Sequence, residues 1–160
     1  MIKSFLFDWG DTLMVDYVDQ SGKMCDWTEV KAVDGAHEVL ALLSQHSRIY
    51  VATNAADSSE QDIQKAFKRV KLDQFISGYF CHGNIGVCKQ SGEFYTRVAK
   101  ALGEKPESLV MVGDSFNNDV QAALDAGLKA IWLNALDCHS NIKGRYKQIK
   151  TLPELITLAV

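Results

Sequence analysis

Phe5-Leu6-Phe7-Asp8-Trp9-Gly10-Asp11-Thr12-Leu13 is an apolar run that ends in a carboxylate and opens into a short polar loop. A strand that stops this way presents its aspartate at the edge of a sheet. A second segment of the same form lies far along the chain, in Leu109-Val110-Met111-Val112-Gly113-Asp114-Ser115-Phe116-Asn117-Asn118-Asp119. Two strand ends carrying acids can share a divalent cation, and a cation held beside an aspartate points to phosphoryl chemistry.

Outward from these segments, short apolar runs recur at Ile2–Phe7, Ile49–Ala52, Ile76–Cys81, Leu109–Val112 and Ala130–Leu133. Near-continuous apolar runs of this length suit strands covered on both faces, as in parallel sheets. Helical spacing fills the intervals. Ala36, Val39, Leu40 and Leu43 share one face, as do Ile63, Ala66, Phe67 and Val70. Phe94, Val98 and Ala101 predict a third helix. Val120, Ala123 and Leu124 predict a fourth, closed by Gly127. Leu155, Ile156 and Ala159 predict a last one, with Pro153 in its first turn. Alternating strand and helix predicts an α/β domain whose ligand site lies at the carboxyl ends of the strands, where Asp8, Thr53 and Asp114 all fall.

The bulk properties agree with one domain over residues 1–160. The chain is 47% hydrophobic, long enough for one core and too short for two ordinary ones. A net charge of -3 predicts no nucleic-acid or membrane partner. The N-terminal apolar run is broken by Asp8, and no segment has the apolar length of a membrane span. Cys25, Cys81, Cys88 and Cys138 form no CxxC pair, so reduced thiols and a cytoplasmic setting are expected. The irregular stretch Val15–Asp34 interrupts the alternation directly after the first strand.

Taken singly, the polar residues have ordinary explanations. An aspartate after a strand forms turns, Thr53 and Asn54 could cap a helix, and a lysine is commonly solvated. The ordered set is more specific. Asp8-x-x-x-Thr12-Leu13, Thr53-Asn54, Gly86-x-x-Lys89 and Gly113-Asp114-Ser115-x-x-x-Asp119 together resemble the four motifs of the haloacid dehalogenase-like (HAD) superfamily. The resemblance runs from Phe5 to about Asn134. It implies a Rossmann-like three-layer α/β/α sandwich with a mainly parallel sheet of about five strands. It also implies a Mg²⁺-dependent phosphatase working through an aspartyl-phosphate at Asp8 on a small phosphorylated substrate. Asp8, Asp114 and the Gly10 carbonyl would be metal ligands, with Asp119 ordering a metal-bound water. Asp8, Thr53 and Lys89 would be catalytic. Gly10, Asp11, Asn54, Thr53 and Lys89 would border the phosphate, with donors aimed at its equatorial oxygens.

One position departs from the pattern. Phosphatases of this superfamily usually carry a second aspartate two residues after the nucleophile, to protonate the leaving alkoxide and activate water. Gly10 stands there, and Asp11 follows it. Glycine cannot transfer a proton, and general acid–base help is worth about 10²–10⁴ in rate. Substrates with good leaving groups would suffer least. Asp11 is expected to turn away and bond the loop backbone.

Dehalogenases and phosphonoacetaldehyde hydrolases of the superfamily also lack an acid at this position. Either chemistry is therefore an alternative, as is a weakly active or non-catalytic phosphate-binding protein. The intervals between the motifs predict a short flap at about 14–34 and no full cap, with a neighbouring subunit as another source of a lid. Cys81, His82 and Cys88 are too sparse for the zinc sites of some relatives and are read as packing and loop residues, and Lys143–Lys147 as a solvated basic loop.

Overall fold

Strict alternation along the first strand, β1 (Ser4–Phe7), builds the core on both faces of the sheet. Phe5 and Phe7 enter one apolar cluster and Leu6 enters the other. The computed structural model describes residues 1–139 and 144–158. In it β1 is joined by β2 (Arg48–Ala52), β3 (Gly78–Phe80), β4 (Leu109–Gly113), β5 (Lys129–Leu133) and β6 (Tyr146–Ile149). The order is β3-β2-β1-β4-β5-β6, and every neighbouring pair is parallel. From β1 the chain winds outward through β2 and β3, then returns to the centre and winds the other way through β4 and β5. The reversal between β1 and β4 makes their carboxyl ends the switch point, where a crevice opens in folds of this class.

Helices cover both faces. α1 (Ala36–Leu43) and α2 (Glu60–Arg69) pack on the Phe5/Phe7 side, burying Val39, Leu40, Ile63 and Phe67. The short α3 (His82–Ile85) precedes α4 (Gly92–Leu102). α4 and α5 (Ala122–Asp125) cover the Leu6 side through Phe94, Tyr95, Val98 and Ala123. Ser59, not Thr53 or Asn54, caps α2, in a reciprocal pair with Asp62. Gly127 takes the left-handed conformation (φ 86°) that ends α5. Among the described residues no helix is long and apolar enough to cross a membrane.

Three expectations change. The sheet has six strands, because β6 pairs in parallel with β5 (Ala130↔Tyr146 to Leu133↔Ile149). Tyr146 and Lys147, read as part of a basic loop, open this edge strand; Lys143 lies outside the described residues. The helix expected around Val120 begins as a π-helix over Phe116–Gln121 and becomes α only at Ala122. The last helix is a 3-10 turn over Leu152–Ile156, with Ala159 outside the described residues.

Candidate active site

β1 and β4 deliver the two acids of the opening segments side by side. Their registers pair Phe7 with Val112, and the Asp8 N–H donates to the Val112 carbonyl at 2.9 Å. Asp8 therefore leaves β1 level with Gly113, and Asp114 follows one residue beyond on the adjacent strand. The π-helix then returns Asp119 beneath them. Its backbone N–H donates to the Ser115 carbonyl (2.8 Å), and its Oδ2 accepts the Ser115 N–H (3.0 Å). One ligand atom each from Asp8, Asp114 and Asp119 lie within 4.8 Å of one another. Gly113 makes this possible, since a Cβ there would overlap the Asp119 carboxyl.

Lys89 is the counter-charge. Only 2% of it is exposed. Its Nζ donates to Asp8 Oδ1 (2.7 Å), Asp119 Oδ1 (2.6 Å) and the Ala52 carbonyl (2.9 Å), which occupies all three ammonium hydrogens. Asn54 aims the loop that carries it, accepting the Lys89 N–H at 2.6 Å. Burial disfavours the charged ammonium, but the two carboxylates outweigh it and Lys89 is held above its ordinary pKa.

The acids are strained as anions. Burial, followed by the close approach of Asp8 and the charge of Asp119, pushes Asp114 up to about 8. Burial raises Asp119 to about 6 against the pull of Lys89. Thr12 Oγ1 lies 3.4 Å from both Asp8 Oδ2 and Asp114 Oδ1, so its one hydrogen cannot satisfy both. One lysine against three carboxylates leaves a negative pocket. A hard dication with oxygen preference would complete it, and the donor set fits Mg²⁺.

The remaining expected residues divide. Thr53 lies at the end of β2 beside the cluster, its N–H bonded to the Phe80 carbonyl (3.0 Å) and its Oγ1 accepting from the Ala55 N–H (3.1 Å). Asp11, which the resemblance placed at the phosphate, does not line the cleft and instead bonds the loop backbone. It adopts φ 57°, and its Oδ1 accepts the Asp16 N–H at 3.0 Å. Gly10, with Asp8 and Thr53, lines a cleft of about 380 Å³.

Across the cleft stand Gly22, Met24 and Trp27 from the irregular segment. That segment is tied to α2. Lys23 pairs with Asp62 (2.8 Å), and Arg69 Nη1 donates to the carbonyls of Cys25 (3.2 Å) and Trp27 (2.5 Å). Cys81 is buried at the start of α3, and Cys88 stands beside Lys89 in the chain.

Sequence reasoning missed three contributors. Trp132 Nε1 donates to the Asp114 carbonyl (3.0 Å) and fixes that strand end from β5. Tyr95, fully buried on α4, donates to the Asn118 carbonyl (2.6 Å). Asp16 lines the cleft beside Gly10. Burial, then the charges of Asp11 and Asp8, raise its pKa. The two aromatics read as core residues, and Asp16 sits in a segment without periodicity.

A parallel sheet with this acid–lysine cluster at its switch point defines a HAD-type α/β hydrolase fold and site. The chain belongs to that family: the haloacid dehalogenase-like hydrolase profile matches residues 10–127. It is 26% identical over 135 residues to the glyceraldehyde 3-phosphate phosphatase of Pyrococcus furiosus, covering 81% of this chain and 55% of that protein. It is 25% identical over 121 residues to the pyrimidine 5'-nucleotidase PynA of Streptococcus pneumoniae, covering 73% and 50%. The chain thus spans about half the length of these curated relatives. A crystal structure of an uncharacterized protein from Listeria monocytogenes serotype 4b superposes with a TM-score of 0.84 over 98% of this chain and 97% of that one, at 20% identity.

Proposed function

We propose that the chain is a Mg²⁺-dependent phosphatase acting on a small phosphorylated metabolite, with Asp8 as the nucleophile. The observation that carries this reading is the pairing of Asp8 with a fully buried lysine inside a triad of acids. Lys89 bonds one oxygen of Asp8 and holds the side chain in place, so that the other oxygen faces the cleft and can attack phosphorus. Displacement on a carboxylate splits one difficult hydrolysis into two easier steps through an aspartyl-phosphate. Asp8, Asp114 and the Gly10 carbonyl would hold Mg²⁺, with Asp119 supporting from below. The cation supplies the charge that lets a carboxylate approach a phosphate dianion. Thr53 and the backbone N–H groups around it and Gly10 would receive the equatorial oxygens.

Two curated relatives named for phosphate-ester hydrolysis support this class, with substrates of small size. The acid triad also favours it over carbon–halogen hydrolysis, which needs no cation. The flap carrying Met24 and Trp27 would act as the partial lid over the cleft.

A Mg²⁺ titration with acetyl phosphate and p-nitrophenyl phosphate, run beside Asp8→Asn, tests the reading. Turnover should require the metal and fall to background in the variant. Equal rates in the two proteins would remove Asp8 from the reaction.

A further inference from the structure

Phosphate transfer from an alcohol needs a proton for the departing oxygen, and release of phosphate from Asp8 needs a base for water. The cleft offers few groups for either task. Asp8 is the nucleophile, and Asp119 is sealed beneath it by Lys89 and the Ser115 N–H. Lys89 has no free hydrogen to give. The remaining carboxyls that line the cleft are Asp16 and Asp57. Asp57 accepts from the Ser58 hydroxyl at 3.2 Å, on the β2 side. Among the described residues no hydrogen bond reaches the carboxyl of Asp16.

The placement of Asp16 is specific. A Cβ built on Gly10 would lie 3.2 Å from Asp16 Oδ2, 3.3 Å from its Cβ and 3.5 Å from its Cγ. The Asp16 carboxyl therefore stands in the volume that a side chain at position 10 would enter, two residues from the nucleophile. The loop is built to keep it there. Asp11 N–H donates to the Met14 carbonyl (2.7 Å), closing a tight turn, and Gly10 and Met14 form a β-bridge. The left-handed backbone of Asp11 then aims its carboxyl at the Asp16 N–H. Asp11 is thus a positioning residue, and the absence of a side chain at Gly10 is what leaves room for Asp16.

We propose that Asp16 is the proton-transferring residue of this site, replacing from six residues further along the chain the acid that Gly10 cannot supply. The inference rests on the phosphatase reading above. In the first step Asp8 Oδ bonds to phosphorus, the bond from phosphorus to the ester oxygen breaks, and that oxygen takes its proton from the Asp16 carboxyl. In the second, the Asp16 carboxylate takes a proton from water as the water oxygen bonds to phosphorus. The bond to Asp8 then breaks with its electron pair returning to the carboxylate.

The test is a comparison of kcat/KM for Asp16→Asn, Asp57→Asn and the unaltered chain in Mg²⁺, with glycerol 3-phosphate and p-nitrophenyl phosphate. This ratio reads the first irreversible step, where the leaving group departs. Asp16→Asn should lose about 10²–10⁴-fold on the alkyl ester and less than about tenfold on the aryl ester, whose leaving oxygen needs little protonation. It should also show a burst of p-nitrophenolate, because water is no longer activated. Asp16 is exposed, so the melting temperature should not move. Equal losses on both esters, no loss on either, or the selective loss in Asp57→Asn instead would overturn the assignment while leaving the phosphatase reading intact. Absence of Mg²⁺-dependent turnover in the unaltered chain would defeat that reading and this inference together.

Discussion

Replacing Lys89 by methionine removes one cation from between two carboxylates and keeps the length of the side chain. The lysine makes three hydrogen bonds of 2.6–2.9 Å from an almost fully buried position. Breaking a buried ion pair by deleting one partner costs about 3–5 kcal/mol, because the surviving charge is left in a poor solvent. Proton uptake limits that cost. Asp119 lies at about 6 even beside Lys89, so without the cation it rises further and is neutralised at pH 7.

The sign with pH follows. A carboxyl raised in the folded state binds more protons folded than unfolded between its ordinary and its raised pKa, so stability falls as pH rises through that window. Lys89 itself, held above its ordinary value, stays charged throughout. Urea melts without divalent cations at about pH 5.5 and about pH 8 should therefore show a larger loss at the higher pH, approaching roughly 3–5 kcal/mol. In a chain of this size that is a fall of roughly 10 °C in Tm. A variant within about 0.5 kcal/mol of the parent at both values, or one hurt more at low pH, would refute the account of Lys89 as the counter-charge.

Two further outcomes follow from the same geometry. Gly113→Ala should cost about 3 kcal/mol or more in urea unfolding, since the added methyl group overlaps the Asp119 carboxyl and must drive it off Lys89. An alanine tolerated within about 0.5 kcal/mol would mean that the packing beneath β4 is looser than described. Mg²⁺ should raise Tm, by an amount equivalent to about 2.7 kcal/mol when present at a hundredfold its Kd. The rise should grow between about pH 6 and about pH 8, because Asp114 must shed a proton held up to about 8 before it can bind the cation. A shift that shrinks with pH, or that survives Asp114→Asn, would place the metal elsewhere.

The fold was legible where burial dictates residue type. β1, β2, β4 and β5 lie inside the sheet and are covered on both faces, and that demand writes itself as near-continuous apolar runs. β6 obeys a different rule. It lies at the edge of the sheet, and Lys147 and Gln148 on it are exposed, so its sequence carries the charges that protect an edge from pairing. Such a strand reads as a basic loop. The π-helix escaped for a related reason. Periodicity at Val120, Ala123 and Leu124 reports which face is buried, while one wider turn upstream of them changes where Asp119 points and leaves that pattern untouched.

The site divides along the same line. Asp8, Thr53 and Asp114 were legible because strand ends are countable along the chain, and the sheet converts those counts into proximity. Lys89 was legible only as a member of the ordered set. Asp16 could not be found in this way. Position 10 is defined by its offset from the nucleophile, and a reading by offset finds glycine there and stops. The space in front of that glycine is filled by the fold, through a turn closed by Asp11 and Met14 that returns the chain to the cleft. Proton transfer requires a carboxyl within reach of the leaving oxygen and is indifferent to which residue number supplies it. A missing acid in a motif is therefore a statement about one position. Whether the site lacks an acid is a question about volume, and here a carboxyl occupies that volume.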